Sequence, residues 1–133
     1  MSVQQMPVVD SRAAAIARAH AEAWSNHDWA RAQAGLAADV HVTVMTTQAA
    51  MAVTDLTGAD DYMQGLIEFA QAVVPGSARV IASAGDDRNA LLVLSVEADF
   101  GGGIVTLTAA RLYLFDEEDK IKAEQVVFYT EQS

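Results

Sequence analysis

Cysteine is missing from all 133 residues, which excludes a disulfide framework, a cysteine-based zinc site and a thiol nucleophile. Positive charge is scarce: eight Lys and Arg stand against eighteen Asp and Glu, a formal net charge of −10. Nucleic acid and anionic membranes repel such a chain, so neither is expected as a partner. Small neutral ligands are left open. No apolar run approaches the roughly 20 residues that span a bilayer. The opening stretch M-S-V-Q-Q-M-P-V-V-D lacks the basic-then-apolar order of a signal peptide. A cytoplasmic location is the expectation. His20, His27 and His41 fall at no H-x-H or H-x-x-x-H spacing, so neither metal nor cofactor is expected. Gly101–Gly103 joins two strands with no helix after it, which makes it a hairpin turn and not a phosphate loop. The acidic turn D-E-E-D lacks calcium-loop spacing and reads as a solvated tip.

What is present is ordinary globular composition, 52% hydrophobic and 20% charged, enough for one domain with a core. Residues 1–9 read as a loose arm and 10–133 as a single domain. Asp10 or Ser11 can cap a helix to about Asn26, with Ile16, Ala17, His20, Ala23 and Trp24 on one stripe. Asp28 can cap a short second helix through Leu36. A first strand follows over about Val40–Thr47, with Val42 and Val44 on one face and His41, Thr43 and Met45 on the other. Met51–Leu56 reads as its return strand. A third helix spans about Asp60–Val74, burying Tyr62, Leu66, Phe69, Ala70 and Val73, with Pro75-Gly76 as its stop. His27, in an exposed turn, and His41 read as surface residues; Met45, Met51 and Met63 read as core fillers.

Strands are expected at about Ala78–Ala84, Ala90–Phe100 and Ile104–Phe115, with a last arm to Thr130. The final two form a hairpin across Asp116–Asp119, a register that sets Tyr113 opposite Lys122 and Arg111 opposite Glu124. Arg111 shares its face with Leu107, Ala109, Tyr113 and Phe115, and Glu124 shares its face with Val126 and Phe128. Helices first and strands after imply an α+β domain, a curved antiparallel sheet wrapped around the long N-terminal helix with a pocket between.

W-S-N-H-D-W, L-A-A-D-V, L-T-G-A-D-D-Y-M-Q-G-L-I-E-F and L-F-D-E-E-D-K-I-K-A-E, in that order, resemble the nuclear transport factor 2-like superfamily, with its SnoaL-like polyketide cyclases and ketosteroid isomerases. The resemblance covers nearly the whole chain from Ser11. It implies a cone-shaped α+β barrel with one deep apolar pocket, often a homodimer through the outer sheet face. Its members include isomerases, cyclases, dehydratases, hydrolases and non-catalytic binders, so the fold leaves function open. Against the ketosteroid isomerases, His20 stands where that family has an oxyanion-binding tyrosine. Val44 stands in place of the general base, an aspartate, and Arg111 in place of a protonated aspartic acid. Steroid isomerisation by that mechanism therefore does not carry over. Limonene-epoxide hydrolases place an arginine between two aspartates; Arg111 with Glu124 resembles part of that, with Tyr113 replacing one acid.

The expected catalytic set is His20, Arg111, Tyr113 and Glu124, acting on a small hydrophobic ligand. Glu124 would be base or acid, with Arg111 orienting it or binding a substrate oxygen. The alternative is a structural ion pair that closes the sheet or sits at its wetted end. For His20 the alternatives are proton transfer or a core histidine bonded to backbone or to Tyr113. Trp24, Val44, Leu94, Val96 and Phe128 are expected on the pocket wall, with Leu92 and Phe100 beside them by strand parity. Glu97 and Asp99, on the other face with Ser95, read as solvent or dimer-surface groups.

Overall fold

The structure, a computed structural model, describes residues 11–46 and 53–129. The N-terminal arm, Asp10, Thr47, Met51 and Thr130 lie outside the described residues.

Helix α1, Arg12–Ser25, starts at Ser11, whose hydroxyl accepts the Ala14 N–H at 3.0 Å. Alanines at 13, 14, 17, 21 and 23 are buried with His20 and Trp24, so α1 lies low against the sheet. Its first turn also meets the β3–β4 turn, where Ala13 N–H donates to Asp86 O at 3.1 Å. Gly85 permits this approach. A Cβ there would stand 2.3 Å from Asn89 O and 2.9 Å from Ser11 Oγ. Helix α2, Trp29–Ala34, is capped by Asp28. His27 precedes it at φ 64°, stacks on Trp29 and places Nε2 3.0 Å from Val73 O. That half-buried histidine ties the α1–α2 turn to the segment after α3, where a surface residue was expected.

Strands β1 (Leu36–Thr46), β2 (Val53–Thr57), β3 (Arg79–Gly85), β4 (Asn89–Asp99), β5 (Ile104–Phe115) and β6 (Ile121–Tyr129) form one curved, unclosed sheet in the order β2-β1-β6-β5-β4-β3. All pairs are antiparallel except β1–β6, which is parallel. β1 starts earlier than expected because Leu36 already pairs with Ile121, across an irregularity before His41. Helix α3, Ala59–Ala70, packs over β1 and β2, while α1 lies over β4. The core fills the space between these helices and the inner face: Leu92, Leu94 and Val96 of β4, Phe115 of β5, and Ile121 and Val126 of β6.

Three expectations are corrected. α3 ends at Ala70, well before Val74, because sheet bonds claim the next backbone groups. Val74 N–H donates to Glu97 O at 2.8 Å and Asp99 N–H to Ala72 O at 2.9 Å, and Val73 bridges Ala98. The β5–β6 register differs by two residues, with Tyr113 opposite Glu124 and Arg111 opposite Val126. Asp116 Oδ1 accepts from Glu118 and Lys120, Asp119 takes φ 64°, and the longer turn shifts the pairing. A two-residue shift preserves side-chain direction, so Arg111 and Glu124 still share the inner face. Phe100 lies beyond β4, 59% exposed, its ring 6.2 Å from that of Phe69. Ser95, on the face it shares with the exposed Glu97 and Asp99, is itself buried.

Candidate functional site

The inner faces of β5 and β6 bring two charges into the core. Arg111 Nη1 donates to Glu124 Oε2 at 2.9 Å, and both side chains are buried. Glu124 Oε1 accepts from the Tyr62 hydroxyl, delivered by the first turns of α3. The Arg111 guanidinium also lies 4.7 Å from the centre of the Trp24 ring. A carboxylate alone at 2% exposure would be prohibitively costly; the arginine and the phenol make it tolerable.

Above this pair is a cavity of about 220 Å³. Its wall is Val42, Val44, Leu56, Leu66, Phe69, Val126 and Phe128, and its polar end is Tyr62, Arg111 and Glu124. Gly65 faces it too, and a Cβ there would press on Leu56 Cδ1 at 3.0 Å. Four buried polar atoms have no hydrogen-bond partner among the described residues: Arg111 Nε, Tyr113 Oη, Trp24 Nε1 and His20 Nδ1. Such atoms are rare in folded proteins and call for a ligand, a water or a function.

The expected catalytic residues converge only in part. Arg111 and Glu124 touch the cavity. Tyr113 lies opposite Glu124 on the inner face but behind the wall, its ring stacked on Phe115. His20 lies behind Tyr62, with their rings edge-on at 6.2 Å and Nε2 3.1 Å from Ala32 O. Burial pushes the His20 pKa down, with Glu124 opposing and Arg111 adding to the effect. Burial, then the Glu124 charge, lifts the Tyr62 hydroxyl well above the ordinary phenol range, and Tyr113 moves up for the same reasons. Of the expected wall residues, Val44 and Phe128 line the cavity, whereas Trp24, Leu94 and Val96 lie in the packed core beneath α1.

Sequence reasoning placed Tyr62 only on a buried helical stripe. The available signal was its spacing from Leu66 and Phe69, which aims a phenol at the same interior as Glu124. Chemically, the carboxylate can take a proton from a ligand or from water in the cavity. Tyr62 and Arg111 can stabilise negative charge beside it. Among the described residues no three His, Cys, Asp or Glu side chains gather as a metal-ligand set.

No family model and no curated protein matches the sequence. Solved structures do. A protein from Kribbella flavida DSM 17836 superposes with a TM-score of 0.73 at 21% identity, covering 88% of this chain and 86% of its own. A putative SnoaL-like polyketide cyclase from Shewanella denitrificans OS-217 gives 0.67 at 13% identity, covering 87% and 89%. An LEH-like epoxide hydrolase of M. tuberculosis gives 0.67 at 15%, covering 88% and 82%. This chain has the nuclear transport factor 2-like, ketosteroid isomerase-like fold.

Proposed function

We propose that the chain binds a small apolar molecule in the cavity between α3 and the β1–β6–β5 face, and that Glu124 performs acid–base chemistry on it. The reaction would be of the cyclisation, isomerisation, dehydration or epoxide-opening kind. The supporting observation is Glu124 itself, a carboxylate at 2% exposure, ending an apolar cavity with an arginine and a phenol on its two oxygens. Its neighbours in fold include a putative SnoaL-like polyketide cyclase and an LEH-like epoxide hydrolase. Arg111 holds the carboxylate and faces any oxygen that gains charge; His20 and Tyr113 support the polar end from behind. The working form is a homodimer joined through the outer sheet face.

Glu124→Gln keeps the volume and removes the base, so turnover of a substrate should fall by about 10²–10⁴. The circular dichroism spectrum should be unchanged. Equal loss of folding would assign Glu124 a structural role. A second reading, non-catalytic binding or an assembly module, draws on the fact that both Glu124 oxygens already have donors. It predicts affinity that survives Glu124→Gln but drops when Val44→Phe fills the cavity.

A further inference from the structure

We infer that the ligand is a neutral molecule of about one ring's bulk that offers a hydrogen-bond-accepting oxygen to Arg111. The inference rests on the cavity-binding reading above and specifies its occupant. Three observations carry it: the volume, the charge balance and the unpaired donors.

Pockets that hold drug-sized ligands run from roughly 300 to 1,000 Å³. This cavity, at about 220 Å³, is smaller. Such a volume suits a single ring with a few substituents better than a fused polycycle.

The charge inside is already balanced. Arg111 and Glu124 neutralise one another at 2.9 Å. From α1 the cavity's polar end is backed by His20, from α3 by Tyr62, and from β5 by Tyr113. All are buried, uncharged groups near neutral pH. Among the described residues, β1 contributes Val42 and Val44 to the wall. An ionised ligand would meet no free counter-charge and would lose its hydration.

The donors, by contrast, are in surplus. Arg111 lines the cavity at 5% exposure and donates one guanidinium N–H, on Nη1, to Glu124, which leaves other N–H groups for a ligand; its Nε is fully buried without a partner. The Tyr113 hydroxyl and Trp24 indole N–H are likewise without acceptors but lie behind the wall, so among these donors a ligand in the cavity meets Arg111. A ligand that brings only an acceptor relieves this imbalance. A pure hydrocarbon leaves it in place, at the cost of an unmade buried hydrogen bond.

Four probes separate these terms, titrated into the full chain and followed by amide, indole and Arg Nε–H resonances in ¹H–¹⁵N spectra. They are 4-tert-butylcyclohexanone, tert-butylcyclohexane, 4-tert-butylcyclohexanecarboxylate and progesterone. The ketone should bind at least tenfold more tightly than each of the others and move the Arg111 Nε–H resonance. Val44→Phe should abolish these shifts without changing the remainder of the spectrum. Equal or tighter binding of the carboxylate, the hydrocarbon or the steroid, with shifts at Val42, Leu66 and Phe128, overturns the ligand class and leaves cavity binding standing. If no probe shifts any cavity resonance, both the ligand class and the cavity-binding reading fall.

Discussion

Tyr62 is the residue on which the buried pair depends most. Its hydroxyl is one of only two side-chain donors to Glu124 among the described residues, and it comes from a different element from the other. Hydrogen bonds to charged groups contribute about 1.5–3 kcal/mol. Tyr62→Phe should therefore lower stability by about that amount in urea unfolding, with the helix and sheet signals retained. A loss near zero would mean that water replaces the phenol, and that the polar end is wetter than its burial indicates. His20 makes a second residue-scale prediction. Its folded pKa lies below its ordinary value of about 6.5, chiefly through burial, so above that pH both folded and unfolded chains carry it neutral. Below about 6.5 the unfolded chain takes up the proton first. Stability then falls with pH, by at most about 1.4 kcal/mol per unit, until the folded pKa is reached. Unfolding at pH 7.5, 6.5 and 5.5 for wild type and His20→Gln should show the difference moving in the variant's favour as pH drops. A pH-independent difference would rule out a buried neutral His20.

At the scale of elements, legibility follows locality. Ser11, Asp28 and the alternation along β4 and β5 state their structure in adjacent residues, and both helix starts and the strand faces follow from them. The end of α3 does not, because its helical periodicity runs on through Val73 and only the carbonyl of Glu97 and the amide of Asp99 divert the chain. The β5–β6 register shows the same limit. The composition of D-E-E-D-K marks a turn, but the span is set by Asp116 collecting two amides and by Asp119 at positive φ. The site inherits this division. Arg111 and Glu124 were legible because charges amid apolar strand residues break a local pattern. Tyr62 was not, since a tyrosine on a buried helical stripe breaks none. Leu94 and Val96 illustrate the remaining difficulty: strand parity says that they point inward, and only the placement of α1 decides that helix, not cavity, meets them.

For the whole molecule, the asymmetry of the sheet matters most. The helices cover the inner face, and among the described residues no helix covers the outer one. There Leu91 pairs with Leu112, Val93 with Ala110, and Ala110 with Val127, leaving Leu112 49% and Leu114 38% exposed. This centre bears no charge, while Glu97 and Asp99 stand at one end of the face and the Asp116–Asp119 turn at the other. A chain of net charge −10 repels its own copies, so a second copy can approach only where the acidic groups are absent. The proposed homodimer through the Leu112 patch would combine an apolar attraction with a long-range repulsion, of which salt screens only the repulsion. Sedimentation should therefore give twice the 14.1 kDa chain mass, with the dimer tightening as salt rises. Leu112→Lys, which sets a charge at the centre of the patch, should return the protein to monomer while leaving the ketone titration of the cavity unchanged. A wild type that stays monomeric at high salt, or a dimer indifferent to Leu112→Lys, would remove this face as the site of association.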